Sequence, residues 1–105
     1  MLGDYILAID QGTTGTTVIL FDHQSNMVGK VYQEFTQYYP KPGWVEHDAL
    51  EIWEGICQLL DEIFQETRVN PAEVAAIGVT NQRETVVLWD RQTGEPVTRA
   101  IVWQC

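Results

Sequence analysis

Basic residues and long apolar runs are scarce in this sequence of 105 residues, and each shortage argues against a class of protein. Only 6 lysines and arginines stand against 15 aspartates and glutamates, so the formal charge is −9. A protein that binds nucleic acid or an anionic membrane needs a basic face to neutralise phosphates, so we expect neither partner. No apolar run approaches the ~20 residues that a membrane helix requires.

Thiol and imidazole groups are also sparse. The 2 cysteines, Cys57 and Cys105, form no disulfide framework and lack metal-ligand spacing, which predicts reduced thiols in a cytoplasmic protein. Residues 1–5 carry no basic region of the kind that opens a secretory signal. His23 and His47 have no partner ligand nearby in sequence, which favours a surface or turn position for each.

The apolar residues, 45% of the chain with tyrosine and tryptophan included, are arranged in short runs that predict an α/β fold. Three strands, a helix and then further strands form a mixed sheet with a flanking helix. The first and fourth apolar runs predict strands buried on both faces. The predicted strands are Tyr5–Ile9, Thr17–Phe21, Met27–Phe35, Val74–Val79 and Thr85–Trp89.

The predicted helix begins after Asp48, an N-cap residue, with Glu51 placed to complete a capping box. Behind this start, two apolar stripes at helical spacing predict a wide buried face. The stripes are Leu50, Trp53, Cys57, Leu60 and Phe64, and beside them Ile52, Ile56, Leu59 and Ile63. The last apolar run, 101–103, stands just before the final residues, so we expect the intact protein to continue.

A first site-like pattern is the stretch Asp10–Thr16, DQGTTGT, between the first two predicted strands. Gly12 and Gly15 let the backbone approach phosphate oxygens, and turn N–H and threonine hydroxyl groups donate to them. Asp10 is placed to hold Mg²⁺ through water. The pattern is neither a Walker A loop nor a Rossmann fingerprint. A plain hairpin turn capped by an aspartate explains these residues equally well.

A second pattern, Asn81–Thr85, follows the strand predicted at 74–79. Arg83 donates and Glu84 accepts hydrogen bonds, which suits a neutral polyol, and ligands bind at this edge of α/β sheets. A surface ion pair is the simpler alternative, and taken alone it is favoured. Trp44 and Trp103 each offer an apolar wall for a substrate, although core packing is the commoner role.

Four segments together resemble the glycerol kinases of the FGGY carbohydrate-kinase family. They are Ile9–Thr14, Tyr39–Asp48, Thr80–Thr85 and Ile101–Cys105, in family order across essentially the whole chain. The resemblance implies an actin-like, ribonuclease-H-like fold of two large domains around a cleft. Residues 1–105 would then be only the first part of the N-terminal domain.

The implied reaction is transfer of the γ-phosphoryl group of Mg-ATP to glycerol, giving sn-glycerol 3-phosphate. By position, Asp10 would belong to the Mg²⁺ and phosphate site, and Thr13 and Thr14 would contact phosphate. Arg83 and Glu84 would bind the glycerol hydroxyls, and Trp103, by the same resemblance, would pack on the carbons. The resemblance also implies that the full-length parent is a homo-oligomer.

The sequence departs from the family pattern in two respects. Many members follow the two threonines with Ser-Ser-Arg, whereas here Gly15-Thr16-Thr17 supplies no cation. The family's catalytic base and adenine pocket lie beyond residue 105, so we expect this chain alone to be inactive. The alternatives are a related polyol or sugar kinase, and a non-catalytic, self-associating fragment.

Overall fold

The computed structural model of the chain describes residues 3–102. Within this range a single long helix lies among short strands. In chain order the elements are β1 (Tyr5–Gln11), β2 (Gly15–Asp22), β3 (Met27–Glu34), β4 (Glu46–His47), α1 (Ala49–Thr67), a 3₁₀ turn (Pro71–Glu73), β5 (Val74–Thr80) and β6 (Ala100–Ile101).

The main sheet is mixed, as the sequence predicts. Its strand order is β3-β2-β1-β5, in which β1, β2 and β3 run antiparallel and β5 runs parallel to β1. A hairpin joins β1 to β2, and α1 belongs to the crossover that returns the chain to β5. The short strands β4 and β6 pair separately and hold the segments after β3 and after β5 together.

The core lies between α1 and one face of the sheet. Helix α1 packs on β2 and β3, and its buried Leu59 and Ile63 meet apolar side chains of the strands. Burying each such side chain stabilises the fold by about 1.5–3 kcal/mol. The buried cluster is Leu7, Val18, Leu20, Val31, Leu59, Ile63 and Val69.

The start of α1 confirms one prediction and corrects another. The Asp48 side chain accepts from the backbone N–H groups of Leu50 and Glu51, so it is the expected N-cap. Glu51, however, accepts from the backbone N–H and the hydroxyl of Thr36, at 2.8 and 3.0 Å. The capping box is therefore wrong, because this carboxylate ties the helix to the segment after β3 instead.

The wide buried face predicted for α1 is only half correct. Leu59 and Ile63 of one stripe are buried, but Leu50 and Trp53 of the other are 47% and 59% exposed. Leu60 and Phe64 of that other stripe are half-buried against the core, so only the N-terminal part of the stripe is exposed. Its free cysteine, Cys57, is half-buried at the boundary.

Burial on both faces was also predicted for β1 and β5, and the described residues do not show it. Leu7 of β1 is buried while Ile6 is exposed, and Ile77 and Val79 of β5 are exposed. One helix over β2 and β3 leaves the β5 side of the sheet uncovered. The strands form where predicted, since their backbone pairing does not require the second face to be covered.

The strand predicted at Thr85–Trp89 is wrong. This segment makes two isolated bridges, Val86 with Ile101 and Trp89 with Pro96, which are out of register with each other. Its β-forming residues therefore pair locally without building a continuous ladder. Residues 90–94 form a turn, in which the Gly94 N–H donates to the Asp90 carbonyl at 2.8 Å.

Candidate active site

Two of the predicted motifs meet because β1 and β5 are parallel neighbours. Asp10 pairs in register with Thr80, so both strands end at the same edge of the sheet. The turn after β1 and the loop after β5 consequently lie side by side. This edge, outside the carboxyl ends of parallel strands, is where α/β folds place ligands.

A first cleft of about 450 Å³ lies between these two loops. Gly12 and Thr13 form one side, and residues 81–84 form the other. Arg83 and Glu84 are exposed, and within residues 3–102 they form no ion pair with each other. The ion-pair alternative is therefore wrong, and a cationic donor and an anionic acceptor are both free to bind a ligand.

The backbone at Glu84 is left-handed, with φ at 57°. This conformation costs a residue with a side chain of the order of 1–2 kcal/mol. Strained residues of this kind cluster at binding sites, where the surrounding structure holds them in place. The geometry of Glu84 is consistent with a carboxylate held for a ligand.

A second cleft, of about 230 Å³, is lined by the β1–β2 turn and by residues of the adjoining strands. The exposed carboxylate of Asp10 stands at its edge. The remaining lining residues offer backbone N–H groups, hydroxyls and one phenol: Gly12, Thr13, Thr14, Gly15, Thr17 and Tyr32. Threonine hydroxyls and turn N–H groups are donors that suit phosphate oxygens.

The β1–β2 turn is thus a wall shared by both clefts, since Gly12 and Thr13 line each of them. The Gly12 N–H donates to the Gly15 carbonyl at 3.0 Å, which closes the turn. A Cβ atom on Gly15 would collide with the Tyr32 ring and lie 2.8 Å from the Gln33 carbonyl oxygen. Only glycine fits at this point of the wall.

The residues around the second cleft fit a magnesium ion that is shared with a nucleotide. Within residues 3–102, no three histidine, cysteine or acidic side chains converge on a common point. Mg²⁺ commonly binds one or two carboxylates together with water and substrate phosphates rather than an all-protein cage. The single exposed carboxylate of Asp10 beside a phosphate-type turn matches that donor set.

A chain of side-chain hydrogen bonds, called the relay below, connects the turn after β1 with the loop after β5. The Gln11 amide nitrogen donates to the Gly12 carbonyl at 2.8 Å and to the Gln82 side-chain oxygen at 3.1 Å. The Gln82 amide nitrogen lies 2.8 Å from Nδ1 of His47. The loop after β5 is therefore bonded to the turn after β1 from behind.

The relay continues from His47 back to the turn. Nε2 of His47 lies 2.6 Å from the side-chain oxygen of Gln37. The Gln37 amide nitrogen donates to the carbonyls of Thr13 and Phe35, at 3.0 and 3.4 Å. The two ends of the relay are thus the carbonyls of Gly12 and Thr13, both in the wall.

His47 is fully buried, at 0% exposure, so the surface or turn position predicted for it is wrong. Burial lowers the pKa of His47, while the negative charge of Glu51 opposes that shift. The edge of the Phe35 ring packs on the imidazole, with centroids 4.8 Å apart. Neutral imidazole is the form that this environment favours.

Most of the predicted site residues meet at these clefts, but the tryptophans do not. Trp103 lies outside the described residues. Trp44 is half-exposed, with the Lys41 ammonium 4.8 Å from its ring centre, and it lines neither cleft. Sequence reasoning missed Tyr32 and Gln37, since nothing in their local sequence marks them.

Comparison with known proteins identifies the family of the chain. Residues 5–105 match the FGGY family of carbohydrate kinases, N-terminal domain. A glycerol kinase of Carboxydothermus hydrogenoformans is 60% identical over 105 residues, covering 100% of this chain and 21% of that protein. This chain therefore spans about a fifth of the length of the curated relatives it matches.

Solved structures give the same result for the fold. The crystal structure of Plasmodium falciparum glycerol kinase with ADP has a TM-score of 0.85 and 40% identity, covering 95% of this chain and 20% of that one. A ligand-bound xylulose kinase from Lactobacillus acidophilus has a TM-score of 0.85 at 25% identity, covering 95% of this chain and 20% of that one. The expected actin-like, ribonuclease-H-like fold is confirmed.

No helix within residues 3–102 has the length and apolar character needed to cross a membrane. The family match covers nearly the whole sequence, and the parallel pairing of β1 with β5 brings the family's motifs to one edge of the sheet. The chain belongs to the FGGY family of carbohydrate kinases.

Proposed function

We propose that the longer kinase carrying this chain transfers the γ-phosphoryl group of ATP to glycerol, giving sn-glycerol 3-phosphate. The observation that carries the proposal is the shared wall. A single turn separates a cleft lined by an arginine and a glutamate from a cleft lined by hydroxyls and a carboxylate. A polyol on one side and a triphosphate on the other would meet at Gly12 and Thr13.

Each residue of the first cleft has a role in orienting the polyol. Arg83 donates to hydroxyl oxygens and Glu84 accepts from hydroxyl hydrogens, so together they turn one terminal hydroxyl toward the phosphorus. Phosphoryl transfer depends on such alignment more than on covalent chemistry. Trp103, outside the described residues, is proposed to cover the carbon face of the substrate.

In the second cleft, the hydroxyls of Thr13 and Thr14 would donate to phosphate oxygens, and Gly12 and Gly15 let the backbone of the turn approach them. Asp10 would hold Mg²⁺ through water. When bound, the ion neutralises charge on the phosphates. Thr17 brings no cation to this cleft, so the nucleotide is held here by neutral donors.

Glycerol is favoured over a sugar by the sequence comparisons. Several relatives named glycerol kinase are 50–62% identical to this chain, whereas the solved xylulose kinases and a gluconate kinase are 25–26% identical. The Arg83–Glu84 pair also suits a small triol that presents several hydroxyls. A related FGGY sugar kinase is the second candidate.

The roles of Arg83 and Glu84 are tested by kinetics on the full-length kinase. Glu84→Gln keeps the shape of the side chain but removes its charge, and hydrogen bonds to charged groups are worth about 1.5–3 kcal/mol. We expect KM for glycerol to rise about tenfold or more while KM for ATP changes little. Glu54→Gln, on the exposed face of α1, is the matched control. An unchanged glycerol KM in Glu84→Gln would contradict the assignment.

We also propose that residues 1–105 are the first part of a longer N-terminal domain and do not turn over alone. Within the described residues, Asp10 and Glu84 are the acidic side chains that line the two clefts, and both already have proposed roles. A catalytic base must then come from elsewhere in the parent protein. Glycerol-dependent ADP release by the purified chain would refute this.

A non-catalytic, self-associating fragment is the alternative from a different class. The exposed apolar residues Ile77 and Val79 on the uncovered side of the sheet favour it for the isolated chain. Gel filtration of this chain separates a monomer from an assembly. The homo-oligomeric state of the parent and its cytoplasmic location remain predictions.

A further inference from the structure

The relay behind the wall has a fixed direction of donation, because both of its ends are backbone carbonyls. Gln11 donates to the Gly12 carbonyl at one end, and Gln37 donates to the Thr13 carbonyl at the other. Neither amide can flip without turning its oxygen toward a carbonyl oxygen. The side-chain oxygens of Gln82 and Gln37 are therefore acceptors within the relay.

This direction determines the form of the imidazole between them. Gln82 presents its NH₂ group to Nδ1 of His47, so Nδ1 is an acceptor. Gln37 presents its oxygen to Nε2, so Nε2 carries the proton. Of the three forms of histidine, the neutral Nε2–H tautomer alone satisfies both contacts, since a proton on Nδ1 would oppose the Gln82 donor.

The relay also connects the parts that catalysis needs to align. Gln82 directly precedes Arg83 and Glu84, and Thr13 lies on the wall between the two clefts. Gln82 links the loop after β5 to His47, and Gln37 links His47 to the turn after β1. A displacement of His47 would therefore shift the polyol side relative to the phosphate side.

We propose that His47 is a positioning residue for phosphoryl transfer, whose neutral Nε2–H imidazole holds the Arg83–Glu84 loop in register with the phosphate-binding turn. The proposal rests on the proposed function of the same clefts. His47 touches no substrate in this arrangement and acts through Gln82 and Gln37. It lies on β4, and the β4–β6 pairing holds it in place from the opposite side.

The charged groups around His47 leave the relay intact. From α1, the carboxylate of Glu51 faces it, and that carboxylate is already bonded to Thr36. On its own segment, Glu46 is paired with Arg99 at 3.7 Å, and Asp48 caps the helix. Toward β3 it meets the uncharged Phe35 ring, and toward β5 it meets the uncharged Gln82.

The kinetic test compares two substitutions in the full-length kinase. Gln at position 47 offers one acceptor and one donor on a single planar group, so His47→Gln can continue the relay, whereas His47→Leu breaks it. We expect His47→Leu to lose between about tenfold and a hundredfold in kcat/KM for glycerol, the scale of a misplaced binding group. His47→Gln should recover most of that loss.

The assays are run below the melting temperature of every variant, and His23→Leu, at an exposed turn position, is the control. A purely structural role would lower the melting temperature of His47→Leu without changing kcat/KM in the folded enzyme. That result would overturn the proposal. So would a His47→Gln variant as impaired as His47→Leu.

A second readout needs no activity, so it separates this proposal from the proposed function. Long-range ¹H–¹⁵N NMR of histidine-labelled full-length kinase reports the tautomer, with His47→Gln assigning the signal. We expect the neutral Nε2–H form at pH 7. A protonated ring or an Nδ1–H tautomer would overturn the relay, even in an enzyme that phosphorylates glycerol. If the tautomer is as expected but glycerol is not a substrate, the proposed function alone fails.

Discussion

At the scale of single residues, Gly15 shows how closely the wall between the clefts is built. The Tyr32 ring and the Gln33 carbonyl occupy the space that a Cβ atom would need. At Gly12 the same atom would meet only the Gly15 carbonyl oxygen, at 3.4 Å. The two glycines of one turn therefore differ in what they tolerate.

Gly15→Ala is expected to destabilise the protein by about 1–3 kcal/mol, the usual cost of forcing atoms into a packed site. Gly12→Ala, its matched control, should change the free energy of unfolding by less than about 1 kcal/mol. Urea unfolding of both variants measures the difference. Equal losses in the two would contradict the close packing of Tyr32 on Gly15.

The burial of His47 predicts a dependence of stability on pH. Its pKa is lowered from the ordinary 6.5 by burial, so the unfolded chain binds a proton more readily than the folded one. The contribution of neutral His47 is complete above about pH 6.5 and is lost as the pH falls toward the lowered pKa. Urea unfolding between pH 5 and 7.5 should show this loss, and His47→Gln should lack it. A wild-type curve identical to that of His47→Gln would refute the burial effect.

Local sequence patterns selected site candidates that the structure places at the two clefts, and their roles stay predictions. Asp10, the two glycines and Arg83 were identified as site candidates because glycines and charges at strand ends stand out. His47 was misassigned because its partners, Gln37 and Gln82, lie 10 and 35 residues away along the chain. A relay assembled from distant segments leaves no pattern in any one of them.

At the scale of elements, helix α1 packs on the sheet through its buried stripe, whereas the N-terminal part of its second stripe is exposed. Leu59 is fully buried against β2 and β3, whereas Leu50, two and a half turns earlier, is half-exposed. Replacing each leucine by alanine separates the effect of burial on stability from the effect of helix propensity. Both residues lie in α1, and the Leu→Ala change in helix propensity is small beside the cost of truncating a core residue.

Leu59→Ala is expected to lower the free energy of unfolding by about 2–5 kcal/mol, as core truncations do. Leu50→Ala should cost less than about 1 kcal/mol, because Leu50 stays 47% exposed and lies outside the buried cluster. Thermal or urea unfolding of the pair measures both. Similar losses would mean that Leu50 is packed in solution.

The elements were predicted well where hydrogen-bonded neighbours are close in sequence. The first two predicted strands pair as neighbours, and Asp48 is the N-cap that was expected. The strand at 85–89 did not, since its pairing partners, 96 and 101, are held out of register. Burial on both faces also failed, since it depends on what covers the sheet rather than on the strand itself.

At the scale of the whole molecule, topology is what makes a site. Parallel pairing of β1 with β5 places two motifs that are 70 residues apart in sequence on one edge, with a shared turn between two clefts. The mixed sheet and flanking helix followed from the order of apolar runs. The shared wall of the two clefts did not follow from that order, because it depends on the pairing of Asp10 with Thr80.

The most direct test of glycerol phosphorylation is coupled ADP release by the full-length kinase with Mg-ATP. Glycerol, xylulose, ribulose and gluconate are compared at equal concentrations. We expect kcat/KM to be clearly highest for glycerol, and to fall in Glu84→Gln but not in Glu54→Gln. A preference for a sugar, or no turnover with any of the four, would contradict the assignment of the Arg83–Glu84 cleft to glycerol.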